Sequence, residues 1–161
     1  MSAMRFVDGD IEGVIVRALK KHADARGWLL ELFREDELPR AAVPVMAYAS
    51  VTKPGVTRGP HEHRDQTDNF VFFGPSTFRI YLWDWRKASK TYLRRQVLEG
   101  GEDSPLNVIV PPGVVHAYRN VGGKDGLVFN GANQLYGGRE RKEPVDEIRH
   151  EDMADSPFVM E

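Results

Sequence analysis

Short runs of β-branched and aromatic residues, separated by turns that contain glycine or proline, dominate this sequence. In the run Phe78–Trp85, Phe78, Ile80 and Leu82 recur at every second position, which is the period of a strand with two different faces. Similar runs, predicted as strands, are Val14–Val16, Trp28–Phe33, Val45–Val51, Asn69–Phe73, Thr91–Leu98, Asn107–Val110, Val115–Asn120 and Leu127–Asn130. Short strands joined by tight turns predict an all-β sandwich or barrel rather than alternating strands and helices.

Helical signals are weak and confined to two short segments, around Arg17–His22 and Glu35–Arg40. The 161 residues suit one compact domain, and no internal repeat or low-complexity tract divides them. We therefore expect residues 1–161 to form a single domain whose N-terminal strands lie within residues 10–33. The charge-rich C-terminal segment, residues 139–161, is expected to wrap the surface of the barrel or to form a partly mobile tail.

Composition excludes several classes of function. The chain has no cysteine, so disulfides, thiolate metal sites and cysteine nucleophiles are ruled out. A net charge of -2 provides no basic field for a nucleic acid or an acidic membrane surface. The apolar runs are too short to span a bilayer, and the N-terminus lacks the apolar core of a signal peptide. We therefore expect a cytoplasmic protein with neither a nucleic-acid nor a membrane partner.

Three of the five histidines lie in strand runs next to turns. His61 and His63 are two residues apart, so on a strand both side chains project from the same face. His116 lies in a second run of this kind. Imidazole groups transfer protons near neutral pH and also bind metal ions. The spacing therefore predicts one site that serves either chemistry, whereas His22 and His150, in polar surroundings, are predicted to lie on the surface.

Two motifs around these histidines resemble those of cupins. The second cupin motif, Pro-x-Gly-x-x-His-x-x-x-Asn, is matched by Pro111, Gly113, His116 and Asn120. The start of the first motif is matched by Gly55, His61 and His63, and Gly74 lies where that motif closes. The resemblance implies a double-stranded β-helix, the cupin jelly-roll barrel, with few short helices. The usual cupin glutamate is missing, and Gln66, Thr67 and Asp68 lie in its neighbourhood. The polar segment Gln66–Phe70 is expected either to line the cavity or to form a solvated loop that leads into the strand.

More specifically, the chain resembles the dTDP-4-dehydrorhamnose 3,5-epimerase family over roughly residues 10–150. The segments that carry this resemblance are Asp24-Ala25-Arg26-Gly27-Trp28-Leu29-Leu30-Glu31, Gly55-Val56-Thr57-Arg58-Gly59-Pro60-His61, and Trp83-Asp84-Trp85-Arg86 with Ser89 and Thr91. Members of this family invert configuration beside a ketone without a cofactor. A histidine removes the proton next to the carbonyl, and a tyrosine on the opposite face returns one. The resemblance thus implies an isomerase or epimerase for a nucleotide-linked 4-keto-6-deoxy sugar, and a homodimer formed through the N-terminal strands.

The same resemblance implies roles for individual residues. His61 corresponds to the family's base, and Arg58 corresponds to its pyrophosphate-binding arginine. A guanidinium suits pyrophosphate because its donors form a planar fork. Arg26 and Glu31 correspond to a segment that reaches across a dimer to help hold the nucleotide. His116 is predicted to be a second histidine of the cavity, where it polarises the keto oxygen or binds a ligand.

The chain departs from the family pattern at groups that complete catalysis. Phe129 occupies the place of the tyrosine acid, which leaves Tyr136 as the candidate substitute. Asn69 replaces a family lysine and is predicted to contact the substrate. His63 replaces a family glutamine. The aspartate that orients the base histidine has no apparent counterpart before the chain ends at Glu161.

Two further functions stay open at this point. In the first, His61, His63 and His116 hold a divalent metal ion, and a three-histidine site leaves coordination positions free for substrate or water. In the second, the protein is a non-catalytic module that binds a sugar nucleotide, which the missing tyrosine and aspartate favour. The epimerase function itself requires no cofactor.

Overall fold

The computed structural model describes residues 4–161, and the regular secondary structure of these residues is almost wholly β-strand. The strands are β1 (Val7–Asp8), β2 (Ile15–Ala18), β3 (His22–Asp24), β4 (Gly27–Leu29), β5 (Met46–Thr52), β6 (Thr57–Glu62), β7 (Asp68–Phe72), β8 (Thr77–Asp84), β9 (Arg94–Gly101), β10 (Leu106–Val110), β11 (Val114–Asn120), β12 (Gly126–Ala132) and β13 (Ile148–Arg149). The helices described are three 3₁₀ turns: Glu35–Glu37, Arg40–Ala42 and Arg139–Arg141. None of these is long and apolar enough to cross a bilayer.

Two sheets enclose the main hydrophobic core. The six-stranded sheet has the order β1-β9-β8-β11-β6-β13, and the five-stranded sheet has the order β2-β10-β7-β12-β5. Strand β1 runs parallel to β9, and the other pairs within these two sheets are antiparallel. The predicted all-β fold, a cupin jelly-roll barrel, is therefore confirmed.

The alternation predicted in β8 separates two hydrophobic clusters. Phe78, Ile80 and Leu82 point between the sheets and pack with residues of β7, β10 and β12. Tyr81 and Trp83 point to the other face of β8, where they pack with Phe158. The C-terminal segment therefore lies along the outer face of the six-stranded sheet and contributes a buried phenylalanine to it.

The predicted helix around Arg17–His22 is wrong. The end of β2 and the start of β3 lie in this segment, which contains no helix, and Arg17 pairs with Asn107 of β10. The available edge of β10 supplies backbone hydrogen bonds that a short, weakly helical segment does not form alone. Around Glu35–Arg40, only the 3₁₀ turn Glu35–Glu37 forms before Pro39, and a second turn begins at Arg40.

Strands β3 and β4 form a separate two-stranded hairpin. Its apolar side chains are poorly covered: Trp28 is 53% exposed and Leu29 is 63% exposed. The Lys21 ammonium lies over the Trp28 ring, 4.5 Å from the centroid. This hairpin thus presents an apolar surface outside the barrel.

Candidate active site

A wide cavity of about 1210 Å³ opens between the two sheets. Its walls come from β5, β6 and β11 and from the chain that follows β12. The side chains most relevant to function along these walls are Tyr48, Ser50, Arg58, His61, His63, Gln66, Tyr118, Tyr136, Arg149 and Glu151. Small-molecule sites commonly enclose roughly 300–1,000 Å³, so this cavity has room for a large polar ligand.

The three predicted histidines converge on this cavity. His61 on β6 is the register partner of His116 on β11, and their ring centroids are 4.4 Å apart. The His63 ring lies 5.8 Å from that of His61 and 5.7 Å from that of His116. The side chains of His61 and His63 reach the cavity, whereas His116 is buried behind them.

Gly59 permits the close approach of β6 to β11. Its φ is +85°, a left-handed conformation that side chains disfavour. A Cβ atom at this position would lie 2.5 Å from the carbonyl oxygen of His116. The glycine of the motif therefore allows the strands to bring His61 and His116 together.

Asp68, at the start of β7, contacts two of the histidines, a position that the sequence does not predict. Its Oδ2 atom lies 3.0 Å from Nε2 of His63 and 3.2 Å from Nε2 of His116. Its Oδ1 atom accepts hydrogen bonds of 2.8 Å from Gln66 and from Asn130. The segment Gln66–Phe70 is predicted to line the cavity or to form a solvated loop, but only the register of β7 directs this one carboxylate to the histidines.

Two histidines of the cavity, His63 and His61, have opposite protonation states. Burial alone would lower the pKa of His63, but the contact with Asp68 and the charge of that carboxylate outweigh burial and raise it to about 9. Burial, followed by the neighbouring imidazoles of His116 and His63, lowers the pKa of His61 to about 2. Burial raises the pKa of Asp68, but its contacts with His116 and His63 hold it well below its usual range. At neutral pH the cavity thus contains a charged His63 beside a neutral His61.

Arg58 projects into the same cavity from β6. Its Nε atom donates to Oγ1 of Thr52 at 2.9 Å, and its Nη2 atom donates to the carbonyl of Val51 at 2.7 Å. These two bonds orient the guanidinium. Tyr136, the predicted substitute acid, lies at the rim of the cavity and is 58% exposed.

Phe129 does not face the cavity. Its ring packs against Phe33 at a centroid distance of 6.3 Å. The next residue, Asn130, points inward, where its Nδ2 atom donates to Asp68 and to the hydroxyl of Tyr48 at 2.9 Å. The inward-facing position of this part of β12 is therefore a buried asparagine, and the phenol that it contacts belongs to β5.

The C-terminal segment brings a carboxylate to the predicted base. Strand β13 pairs with β6, and the backbone N–H groups of His150 and Glu151 both donate to the carbonyl of Pro60. Oε1 of Glu151 consequently lies 4.0 Å from Nδ1 of His61. The sequence offers no counterpart of the family's aspartate, but the turn after β13 places this glutamate carboxylate near His61.

His150 is buried, so its predicted surface position is wrong. Its Nε2 atom lies 2.8 Å from Oε1 of Glu62, which is also buried. Its ring contacts Phe158 at a centroid distance of 4.7 Å. Burying the two polar groups together satisfies both and fastens the C-terminal segment to β6.

Three predicted substrate contacts lie away from the cavity of their own chain. Arg26 is on the tip of the β3–β4 hairpin, where it forms an ion pair with Asp24. Glu31 follows the same hairpin and is exposed. Asn69 is fully buried, and its Oδ1 atom accepts a hydrogen bond from Asn107 at 2.5 Å. The structure therefore gathers Arg58, the three histidines and Tyr136 around the cavity, and leaves these three residues elsewhere.

The Trp83–Thr91 segment has a structural role in this chain. The carboxylate of Asp84 is fully buried and accepts hydrogen bonds from Nε of Arg86 at 2.8 Å, Oγ of Ser89 at 2.6 Å and Oγ1 of Thr91 at 2.5 Å. The network closes the long turn between β8 and β9. None of its members lines the cavity.

Comparisons with known proteins agree with this architecture. A model of the dTDP-4-dehydrorhamnose 3,5-epimerase family matches residues 8–143 of the chain. The spore coat polysaccharide biosynthesis protein SpsL of Bacillus subtilis (strain 168) is 40% identical over 114 residues, which are 70% of this chain and 73% of SpsL. The probable low-salt glycan biosynthesis epimerase Agl13 of Haloferax volcanii is 34% identical over 128 residues, which are 79% of this chain and 81% of Agl13.

The fold is also that of solved members. The crystal structure of a dTDP sugar isomerase from Desulfovibrio desulfuricans G20 superposes with a TM-score of 0.77 at 22% identity, covering 92% of this chain and 89% of that one. The family match extends over most of the chain, and it includes β6, β7 and β11 with their convergent histidines and Asp68. This chain belongs to the dTDP-4-dehydrorhamnose 3,5-epimerase family.

Proposed function

We propose that the protein is an epimerase that inverts a carbon next to the ketone of a nucleotide-linked 4-keto-6-deoxy sugar, with His61 as the base. The observation that carries the proposal is the placement of His61 and Arg58 on one strand, both facing a cavity large enough for a nucleotide sugar. Arg58 offers donors for pyrophosphate, and His61 offers a neutral imidazole. The names of SpsL and Agl13, which refer to polysaccharide and glycan biosynthesis, support a sugar-nucleotide partner.

The surrounding charges suit the formation of an enolate. Removal of the proton by His61 leaves the electron pair of the C–H bond on the enolate, whose oxygen becomes negative. The charged His63 supplies a fixed positive charge to stabilise that oxygen. A bound pyrophosphate adds negative charge near His61, which raises the proton affinity of this imidazole toward the range useful for a base.

Deuterium incorporation tests this proposal directly. The protein is incubated with a dTDP-4-keto-6-deoxy sugar in deuterated water, and incorporation at C3 and C5 is followed by NMR. We expect incorporation with the wild type and a loss of at least about 100-fold with His61→Asn. The matched control is Asp103→Asn, because Asp103 is exposed, outside the cavity and away from the β3–β4 hairpin. Full exchange by His61→Asn would contradict its role as the base.

We further propose that the protein is a homodimer, joined through the exposed outer face of β5 and the β3–β4 hairpin. Val51, Trp28 and Leu29 leave apolar surface uncovered in one chain. Such a dimer would carry Arg26 and Glu31 toward the nucleotide end of the partner's cavity. Light scattering should give a mass twice that of one chain, and Trp28→Ser should lower it toward the monomer. The cytoplasmic location expected from the sequence stays a prediction.

A metal ion is the second candidate, and two observations favour it. His61, His63 and His116 each offer a ring nitrogen, and these atoms all lie within 4.8 Å of one another. Oδ2 of Asp68 and Nε2 of His116 are buried without a well-aligned hydrogen bond. This nitrogen-rich set with a carboxylate would suit a divalent transition metal, which would polarise a bound carbonyl oxygen.

Elemental analysis of protein purified without a metal-affinity tag separates these proposals. Close to one equivalent of a transition metal, with exchange lost on chelation, would favour the metal. Exchange that survives chelation would favour His61 acting alone. Tight binding of the nucleotide sugar without any exchange would support a non-catalytic binding module.

A further inference from the structure

Inversion of a carbon requires two groups that work on opposite faces of one planar intermediate. The base removes a proton from one face, and a donor must deliver a proton to the other, because return from the base restores the original configuration. The donor should therefore project into the cavity from the wall opposite His61. It must also carry a proton at neutral pH.

Three tyrosines line the cavity among residues 4–161. Tyr118 is on β11, which belongs to the same sheet as His61, and it is only 5% exposed. Tyr136 lies at the rim, after the end of β12. Tyr48 is on β5 of the five-stranded sheet, across the cavity from β6, and is 46% exposed.

We propose that Tyr48 is the catalytic acid that protonates the enolate on the face opposite His61. This inference rests on the proposed epimerase function and names the donor that the function requires. Tyr48 is thus assigned the role that sequence analysis gave to Tyr136.

The hydrogen bonds of Tyr48 leave its proton available. Its hydroxyl oxygen accepts from Nδ2 of Asn130 at 2.9 Å, so its own O–H is not used in that contact. Tyr48 and Asn130 are direct register partners of β5 and β12, which fixes their mutual position. The other amide hydrogen of Asn130 reaches Oδ1 of Asp68. The phenol is thereby held by the same network that contacts His63 and His116.

The surroundings of Tyr48 keep the phenol protonated until it reacts. Burial raises the pKa of Tyr48 to about 12, although the hydrogen bond from Asn130 opposes the change. The neutral phenol is therefore the form present when substrate binds. By contrast, the hydroxyls of Tyr118 and Ser50 are 3.2 Å apart and engage each other.

The proposed step conserves protons and electrons. The C–H bond breaks, its proton passes to His61, and its electron pair forms the enolate. The O–H bond of Tyr48 then breaks as a new C–H bond forms on the opposite face, and the bond's electron pair stays on the phenolate. The imidazolium and the phenolate return to neutral through exchange with water in the open cavity. No oxidant, reductant or further reactant is needed.

The test separates deuterium exchange from inversion. Wild type and Tyr48→Phe are incubated with a dTDP-4-keto-6-deoxy sugar in deuterated water, and NMR measures incorporated deuterium and the configuration of the labelled carbon. We expect Tyr48→Phe to retain exchange by His61 with retained configuration, and to lose inversion by at least about 100-fold. Tyr92→Phe is the matched control, because Tyr92 packs on Trp85 outside the cavity.

The possible results are distinct. A wild type that exchanges and inverts, with inversion lost only in Tyr48→Phe, supports the assignment. Normal inversion by Tyr48→Phe, or its loss in Tyr136→Phe or Tyr118→Phe instead, overturns the assignment while leaving the epimerase function intact. If the wild type shows no exchange, the epimerase function is rejected, and the assignment of Tyr48 as the acid is rejected as well. Thermal unfolding of each variant identifies any that lose activity through misfolding.

Discussion

Replacing Asp84 with asparagine should destabilise the fold without altering the cavity. The fully buried carboxylate of Asp84 receives hydrogen bonds from Arg86, Ser89 and Thr91. Asparagine has nearly the same shape but carries no charge. Its amide NH₂ group is a donor and cannot accept the hydrogen bonds that Arg86, Ser89 and Thr91 donate to the carboxylate. The variant therefore removes the electrostatic part of the network with little change in packing volume.

The size of the effect follows from the pKa of Asp84. Burial raises this pKa, but the hydrogen bonds from Arg86, Ser89 and Thr91 outweigh burial and lower it from 3.8 to about 2. A difference of about 1.8 pH units at about 1.4 kcal/mol each corresponds to at most about 2.5 kcal/mol. Because Arg86 is 26% exposed, solvent screening reduces this upper limit. We expect a loss of about 1–2 kcal/mol, or roughly 2–8 °C in Tm.

The pH dependence of that loss identifies its cause. The folded pKa of Asp84 is lowered, so its stabilisation is present above the unfolded value of 3.8 and is lost as pH falls through about 2. Denaturant unfolding of wild type and Asp84→Asn between pH 7 and pH 2 should thus show a stability difference that narrows as the pH falls below 3.8 and is smallest at the acidic end. Asp103→Asn, at an exposed position, should change neither stability nor its pH profile. A stability difference that stays constant as the pH falls would refute the electrostatic explanation.

Three further predictions concern the C-terminal segment and the strand that carries His61. Phe158→Ala should lower the free energy of unfolding by about 3 kcal/mol, because it removes a buried ring; calorimetry measures this against Val159→Ala at an exposed neighbour. His150→Ala should cost about 2 kcal/mol by leaving the buried Glu62 unpaired, and an unchanged melting curve would contradict the buried pair. Gly59→Ala should reduce deuterium exchange and destabilise the fold by about 1–3 kcal/mol, because the added methyl group would clash with the carbonyl of His116 at a residue whose φ is positive. Gly123→Ala is the control, because no atom lies within 4 Å of the Cβ atom that it adds.

The sequence predicts the features of the fold that depend on local patterns. Alternation in β8 correctly separates the residues between the sheets from those on the outer face. The i, i+2 spacing of His61 and His63 predicts that both project from one face, and both reach the cavity. These features follow from strand geometry, because side chains alternate whatever the rest of the fold does.

Other features depend on contacts distant in sequence, and local patterns do not reveal them. His150 has polar neighbours in the chain, but β13 pairs with β6 and buries it against Glu62. Asp68 lies in a polar stretch that resembles a loop, and only the register of β7 places its carboxylate at the histidines. Tyr48 occurs in a run that any exposed strand could contain. Only its pairing with Asn130 on the neighbouring strand shows that its hydroxyl accepts a hydrogen bond beside the cavity.

Asp68 determines the charge that His63 brings to the position of the family's glutamine. A buried imidazole without a partner would remain neutral and add no charge to the cavity. With Asp68 at 3.0 Å, His63 instead remains protonated, and its charge in turn opposes protonation of His61. One buried carboxylate thus stabilises a cation beside a neutral imidazole. An enolate needs a base to form and a positive charge to persist, so this arrangement suits proton transfer even though the chain lacks the family's tyrosine on β12.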